Sequence, residues 1–339
     1  MALQGIGNSI SFKDIQTEFG RPTDGKFGNY RISQNIGDLT NLPLDKDIPT
    51  SGEIKFSHFY SKKLNIVVDF YNDDEDLTRQ DIKARFNGGR IEVIGPRSNN
   101  VIESTSGKKI IAHVNKLIGS ENSFKSEIRR CSLLTGEWDP NTELIINVGS
   151  AGTIIGAGGD GGRGSEGAGD FFAGKDGTSA IGINTTQDVT IINNGLISCG
   201  FGGGGGGKGG SKRVKTGKKK SVTAVSSGGG GGGGAGFPFG LGGTKGTGAT
   251  QRGSDGQPGD DGEIDEGGAG GNGGNTDDAT TLTGGQGGDS AASATAGDNS
   301  GGAAGNNGFL IVTINGSIPD NISGSGTNLG TNSLNTTPI

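Results

Sequence analysis

The sequence predicts a mainly β protein with little helix, in which short strands lead into packed glycine helices behind a small α/β or β-rich domain. Three observations carry this. Of the 73 glycines in 339 residues, 55 fall between Ala151 and Gly308. A strand-then-glycine signature occurs twice: Gly152-x-Ile154-x-Gly156-x-Gly158-Gly159 returns, one residue longer, as Gly195-x-Ile197-x-x-Gly200-x-Gly202-Gly203. Each copy also follows an apolar strand, "LIINV" or "VTIIN". A flexible linker has no reason to place buried-type strands ahead of each glycine tract, so the repetition predicts a defined architecture.

Residues 1–63 carry an internal echo, Ile10-x-Phe12-x-x-Ile15 and Ile54-x-Phe56-x-x-Phe59. Ser11 and Asp14 make a capping box for a short helix in which Phe12, Ile15 and Phe19 share a face, and Gly20 is its natural stop. Helices this short are marginal alone. They must pack on each other, on a neighbouring copy or on a partner, and Ile10, Phe12, Ile15, Phe19, Ile54, Phe56, Phe59 and Tyr60 are the docking candidates.

Residues 64–148 read as the conventional domain and hold most of the ordinary core. Strands are predicted at 64–71, 90–95, 108–119 and 142–149, with a helix over 76–86 that carries Leu77, Ile82 and Phe86. A boundary is expected near Gly149, where the composition changes. The glycine region then runs over 149–316 and closes on the strand "FLIVTING". Residues 317–339 are polar and predict an extended or loose tail.

Glycine tracts fold only if their backbone groups find partners. A polyproline-II helix has three residues per turn and no internal hydrogen bonds, so its N–H and C=O groups point outward. Without side chains, such helices can lie side by side and bond to one another. "GSDGQPGDDG" (253–262), with glycine at every third position, fits this period.

Composition narrows the function. The net charge of −6 gives no general case for nucleic acid, and no window approaches the roughly 18 apolar residues of a membrane span. The start "MALQGIGNSISFKD" lacks a secretory pattern, so synthesis in a cytoplasm with another exit route is expected. Cys131 and Cys199 read as free thiols rather than a disulfide framework. Catalytic motifs fail on inspection. Gly202–Lys208 fits the spacing of a phosphate loop, but Gly209 stands where Ser or Thr must hold magnesium. His58 and His113 lack partners at metal-ligand spacing, and "DDGEIDE" (260–266) lacks the alternation of a calcium loop. No enzyme activity, cofactor or metal is expected.

Inserts between rigid tracts become surface loops, and binding belongs there. Phe171 and Phe172 mark one insert, and Phe237 and Phe239 another; these rings are expected to pack onto the lattice or its caps ahead of the alternative, stacking on a receptor sugar. Between the two long glycine runs stand Lys212, Arg213, Lys215, Lys218, Lys219 and Lys220, six like charges within nine residues. They stand in a solvated loop, pair with the acidic stretch 255–278, or meet an anionic surface outside the chain; nucleic acid is the weakest alternative.

The stretches "GTIIGAGGDGGRG" (152–164), "INNGLISCGFGGGGGGKGG" (192–210) and "GGGGGGGAGFPFG" (228–240) resemble the glycine-rich adhesins of tailed bacteriophages. The N-terminal "GNSISFKDIQTEFG" and "SGEIKFSHFYSKKLNIVVDFY" are similar to the openings of virion structural proteins from T4-like phages of marine bacteria. The resemblance implies a sandwich of polyglycine-II helices whose loops bind a host receptor, an outer-membrane protein or lipopolysaccharide. It implies a virion location in the tail or fibre, release by lysis, and partners among tail, fibre or baseplate proteins. On this reading residues 1–63 attach to the virion and 64–148 act as a spacer. The rival reading is a purely structural stalk of baseplate, collar or capsid fibre, and a glycan-cleaving tailspike is third.

Overall fold

Outside one hairpin, the strands along this chain pair with strands three to five places further on rather than with their sequence neighbours. The computed structural model describes residues 3–19, 26–30, 48–49, 51–71, 76–94, 104–121, 127–167, 169–170, 172–216, 220–250, 253–274, 292–297, 301–313, 319, 322–334 and 338. β5 (Lys109–Val114) pairs with β8 (Glu143–Val148), β6 (Leu117–Gly119) with β9 (Thr153–Ile155), and β7 (Cys131–Leu134) with β10 (Ser179–Ile183), all parallel. β11 (Val189–Asn193) continues the first ladder and β12 (Leu196–Ser198) the second, while β15 (Phe309–Thr313) continues the third.

Three parallel sheets result, visited in rotation, which is a three-sided solenoid. Its first coil is β1 (Asn65–Phe70), β2 (Leu77–Thr78) and β3 (Gln80–Asp81); its fifth is β16 (Ile322–Ser323), β17 (Thr327–Leu329) and β18 (Thr331–Leu334). β4 (Ile91–Ile94) lies antiparallel on the outer edge of β1 and closes that ladder.

Register explains the stability. On the first sheet Val68, Ala112, Ile146 and Ile191 stand in one column; on the second, Ile118, Ile154 and Ile197; on the third, Leu133, Ile181 and Ile311. All are fully buried in one continuous core. Each large member contributes about 1.5–3 kcal/mol by leaving water. Two of the three columns turn polar in the fifth coil, where Asn328 follows Ile197 and Asn332 pairs with Ile311, while the first continues from Ile191 to Ile322. A terminal repeat with polar residues ends a solenoid without leaving an apolar face.

Several expectations change. The boundary near Gly149 is a change of composition and not of fold, because β8 and β11 pair across it within one sheet. The polar tail contributes β16, β17 and β18 to the solenoid. The predicted helix over 76–86 is helical only in α2 (Ile82–Asn87), since β2 and β3 occupy its front half. The single strand expected over 108–119 is two, with a solenoid corner between β5 and β6.

The N-terminal helix α1 (Phe12–Phe19) forms as expected, with the Ser11 N–H donating to the Asp14 carboxylate at 2.7 Å and the Asp14 N–H to the Ser11 hydroxyl at 3.2 Å. That bonding, backbone first and hydroxyl second, holds the Asp14 carboxyl below its ordinary range. The second echo is a 3₁₀ turn at Phe56–Phe59. Ile15, Phe19 and Phe59 are buried in the solenoid's own core, with the Phe19 and Phe59 rings edge-on at 5.7 Å. Glu18 fixes this packing: it accepts the Leu64 N–H at 2.8 Å and meets Lys108 Nζ at 2.7 Å, both side chains buried. The two echoes therefore bury each other against the same chain.

Candidate functional site

The glycine tracts leave the solenoid at one corner, between the second and third sheets. In the third coil, tracts t1 (156–167) and t2 (172–178) connect β9 to β10. In the fourth coil, t3 (199–209), t4 (226–237), t5 (238–247), t6 (253–263), t7 (266–274) and t8 (302–308) connect β12 to β15.

Their hydrogen bonds repeat every third residue. The N–H groups of Gly156, Gly159, Gly162 and Ser165 donate to the carbonyls of Ser198, Phe201, Gly204 and Gly207 on the t3 side. Those of Gly158, Gly161, Gly164 and Gly167 donate to Pro238, Leu241, Thr244 and Thr247 on t5. Each tract thus satisfies its backbone on neighbouring tracts, which answers the accounting that a chain without regular secondary structure must meet.

This geometry accounts for the glycine pattern. t4 has neighbours on three faces. A Cβ on Gly228, Gly231 or Gly234 would stand 1.8–2.1 Å from t3 carbonyl oxygens, one on Gly229 or Gly232 1.8–2.0 Å from t7, and one on Gly230 or Gly233 1.9–2.0 Å from t5. No side chain fits, so the run is unbroken. t1 lies at the rim and shows every third residue outward: Asp160, Arg163 and Glu166. Rim carboxylates also close seams, because the Asp160 carboxylate accepts the Leu241 N–H at 3.0 Å and that of Asp261 accepts the Gly242 N–H at 2.7 Å.

The tracts alternate in direction, so the lattice has two ends. At the sheet end, t4 turns into t5 through Phe237 and Pro238, and t6 turns into t7 through residues 263–266. At the far end lie the t1–t2 connection, the hairpin of β13 (Ser211–Lys215) and β14 (Ser221–Val225), and the t5–t6 connection; t7 also finishes there.

This divides the predicted site residues. Phe172 is 46% exposed at the far end, with the Arg163 guanidinium 4.5 Å over its ring and Arg163 held by Glu166 at 2.7 Å. Arg213 and Lys220 are exposed on the far-end hairpin, where Arg213 Nε donates to the Ser221 hydroxyl at 2.8 Å. Phe171, Lys218 and Lys219 lie outside the described residues, as do the side chains of Lys212 and Lys215.

Phe237 and Phe239 belong to the other end. The Phe237 carbonyl accepts the Ser120 N–H at 2.9 Å, and a Cβ on Gly119 would meet the Phe237 ring at 2.3 Å. Phe237 therefore joins the lattice to β6 and is not displayed with the other loops. Of the docking candidates, Ile15, Phe19 and Phe59 face the core and are removed from any docking surface. Ile10, Phe12, Ile54 and Tyr60 are half-buried, and Phe56 is 43% exposed.

The far-end hairpin and the acidic turn are well separated. t6 runs from the far end at Gly253 to the sheet end at Glu263, a span of about 30 Å at roughly 3 Å per residue. That exceeds the Debye length of about 8 Å at physiological salt. Glu263, Asp265 and Glu266 therefore do not neutralise the hairpin, whereas Asp255 reaches Lys245 at 4.0 Å. Asp277 and Asp278 lie outside the described residues.

Among the described residues no group of three His, Cys, Asp or Glu side chains could hold a metal ion. Burial pushes the Cys131 and Cys199 thiols up to about 12, which leaves both protonated and unreactive.

The chain is thus a solenoid that carries a backbone-bonded lattice, with chemically different loops at the lattice's free end. Residues 92–333 match the family model of the phage tail fibre adhesin Gp38. The chain belongs to that family, and is by that membership a virion component of the bacteriophage tail fibre. Among solved structures it is similar to the gp37–gp38 adhesin tip complex of the bacteriophage S16 long tail fibre, at 21% identity and a TM-score of 0.24, over 67% of this chain and 70% of that one. No curated protein matches it.

Proposed function

We propose that the tracts are polyglycine-II helices and that the far end of their lattice recognises a receptor on the host-cell surface, mediating phage adsorption. The observation that carries this is the gathering of Phe172, the basic hairpin and the t5–t6 connection at one end of a scaffold whose other end is tied to the solenoid. The lattice supplies rigidity without a side-chain core, and the loops supply chemistry. The hairpin's charges, unanswered by the acidic turn, fit an anionic receptor: lipopolysaccharide phosphate or an acidic loop of an outer-membrane protein. The protein acts by binding and not by catalysis, with no cofactor and no nucleic-acid partner. Other proteins of the tail, fibre or baseplate carry it on the virion, as gp38 is carried with gp37 in the S16 tip complex. The test replaces residues 211–225 with a short Gly-Ser turn and measures adsorption. Loss of adsorption with normal particle assembly supports recognition; unchanged adsorption favours the structural-stalk reading.

A further inference from the structure

A cleft of about 550 Å³ opens where α2 meets the first two coils, at the corner between the second and third sheets. That is the size of a small-molecule site. Arg79, Arg85 and Arg90 line it together with Asp81 and Glu121. Ala84 and the C-cap Gly88, one helical turn apart, form part of the wall, so α2 puts no bulky side chain into the space there.

The fold fixes these cations. Arg85 Nε donates to the Asp69 carbonyl, a terminal nitrogen reaches Gln80 Oε1 at 3.4 Å, and the guanidinium lies 4.6 Å over the Phe70 ring. Arg90 meets the Asp69 carboxylate at 3.5 Å and stays 48% exposed at the rim. Arg79 is the whole corner between β2 and β3, and its N–H donates to the Gly119 carbonyl at 2.8 Å. Its φ of 32° is left-handed, a conformation that disfavours a side chain, and Gly330 takes the equivalent corner in the fifth coil. An arginine kept where glycine is unstrained implies a use for its side chain.

Three guanidiniums against two carboxylates give the cleft an excess of positive charge. The Asp81 carboxylate also caps α2, accepting the Ala84 N–H at 2.8 Å. One guanidinium fork satisfies both oxygens of a carboxylate, whereas several forks around one space suit the oxygens and higher charge of a phosphate.

We propose that this cleft binds a phosphate group, with Arg79 and Arg85 as its donors and Arg90 closing the rim. It lies on the solenoid beside Gly119, where the sheet end of the lattice attaches, and is separate from the basic hairpin. It does not rest on the receptor assignment. The test titrates the full chain with inorganic pyrophosphate by calorimetry, at constant ionic strength and with sodium chloride as the comparison. Saturable binding of one equivalent is expected. Arg79→Gly removes the guanidinium from a backbone that suits glycine, and should weaken binding at least tenfold at an unchanged melting temperature. Ala84→Glu places a carboxylate in the cleft from an exposed helical position and should weaken it as much, which keeps the test decisive if Arg79→Gly unfolds. A chain with residues 211–225 replaced by a Gly-Ser turn should bind as wild type does. No saturable binding by wild type, wild-type affinity in both cleft variants, or loss of binding in the hairpin replacement each overturns the proposal. Host lipopolysaccharide, intact or enzymatically dephosphorylated, added to the hairpin-replaced chain then identifies the source. Binding lost on dephosphorylation and in Arg79→Gly supports a phosphate on the host surface; pyrophosphate binding without lipopolysaccharide binding supports a free phosphate compound.

Discussion

Arg79 and Gly330 occupy the same corner of the solenoid four coils apart, each the single residue between a strand of the second sheet and one of the third. Both have positive φ, 32° for Arg79 and 126° for Gly330. Between these two tight corners the same position holds residues 120–130 in the second coil, t1 and t2 in the third, and t3–t8 in the fourth. The glycine lattice is thus an enlargement of one corner in two adjacent coils.

At the fifth-coil corner, Gly330→Ala should destabilise the fold by about 1–3 kcal/mol, because its φ suits only glycine and a Cβ would stand 2.9 Å from Cys199 Sγ. Gly231→Ala, with a t3 carbonyl oxygen 2.0 Å from the new Cβ, should cost about 3 kcal/mol or more. Arg163→Ala on the outward face of t1 should stay within about 1 kcal/mol. Denaturant midpoints of the three variants check the order.

Residues 1–63 should prove integral to the solenoid. Removing Glu18 leaves Lys108 charged and buried, so Glu18→Ala is expected to cost about 3–5 kcal/mol. Thermal unfolding of Glu18→Ala against wild type tests this; a change under 1 kcal/mol would show that the N-terminal segment contributes little to the folded chain.

The two cysteines report opening of the structure. Burial holds both thiols near 12, so at pH 8 neither forms an appreciable thiolate. Alkylation of Cys131 and Cys199 by iodoacetamide is expected only at the rate of unfolding, and in step with loss of β circular dichroism. Fast labelling of Cys199 alone would mean that the seam between solenoid and lattice opens separately.

The basic hairpin should matter for adsorption and little for stability. Replacing Lys218, Lys219 and Lys220 with Gln is expected to slow adsorption several-fold at low salt and less at high salt, since steering is screened. The melting temperature should hold steady, because the acidic turn lies about 30 Å away. A fall in melting temperature without slower adsorption would assign those lysines an intramolecular partner instead.

What the sequence made legible is local. The Ser11–Asp14 cap, the strand-then-glycine signature and the third-residue period at 253–262 each involve residues close in the chain. The solenoid was not legible, because β10 pairs with β15 across more than a hundred residues of insert. Its coils share no repeat length, so no fixed period marks them. Strands such as "CSLL" and "TNL" are too short to stand out, and their burial comes from the coils stacked above and below. The sequence leaves Phe237 and Phe239 open between packing on the lattice and display at a loop tip, because composition cannot tell which end of a tract pair a turn occupies. Counting the tracts supplies that signal. A turn after an even number of passes lies at the sheet end, where Phe237 meets Gly119.

The central claim is that the glycine tracts form a rigid, hydrogen-bonded scaffold, and amide hydrogen exchange of residues 202–207 and 228–234 tests it most directly. The N–H groups of Gly204, Gly207, Gly231 and Gly234 donate to Gly232, Gly229, Gly162 and Gly159. These amides should be protected to nearly the same degree as the solenoid core, with slower exchange in t4, enclosed on three faces, than in outer tracts such as t6. Exchange at random-coil rates through both runs, in a chain whose solenoid amides remain protected, would contradict the lattice and return these residues to the status of a linker.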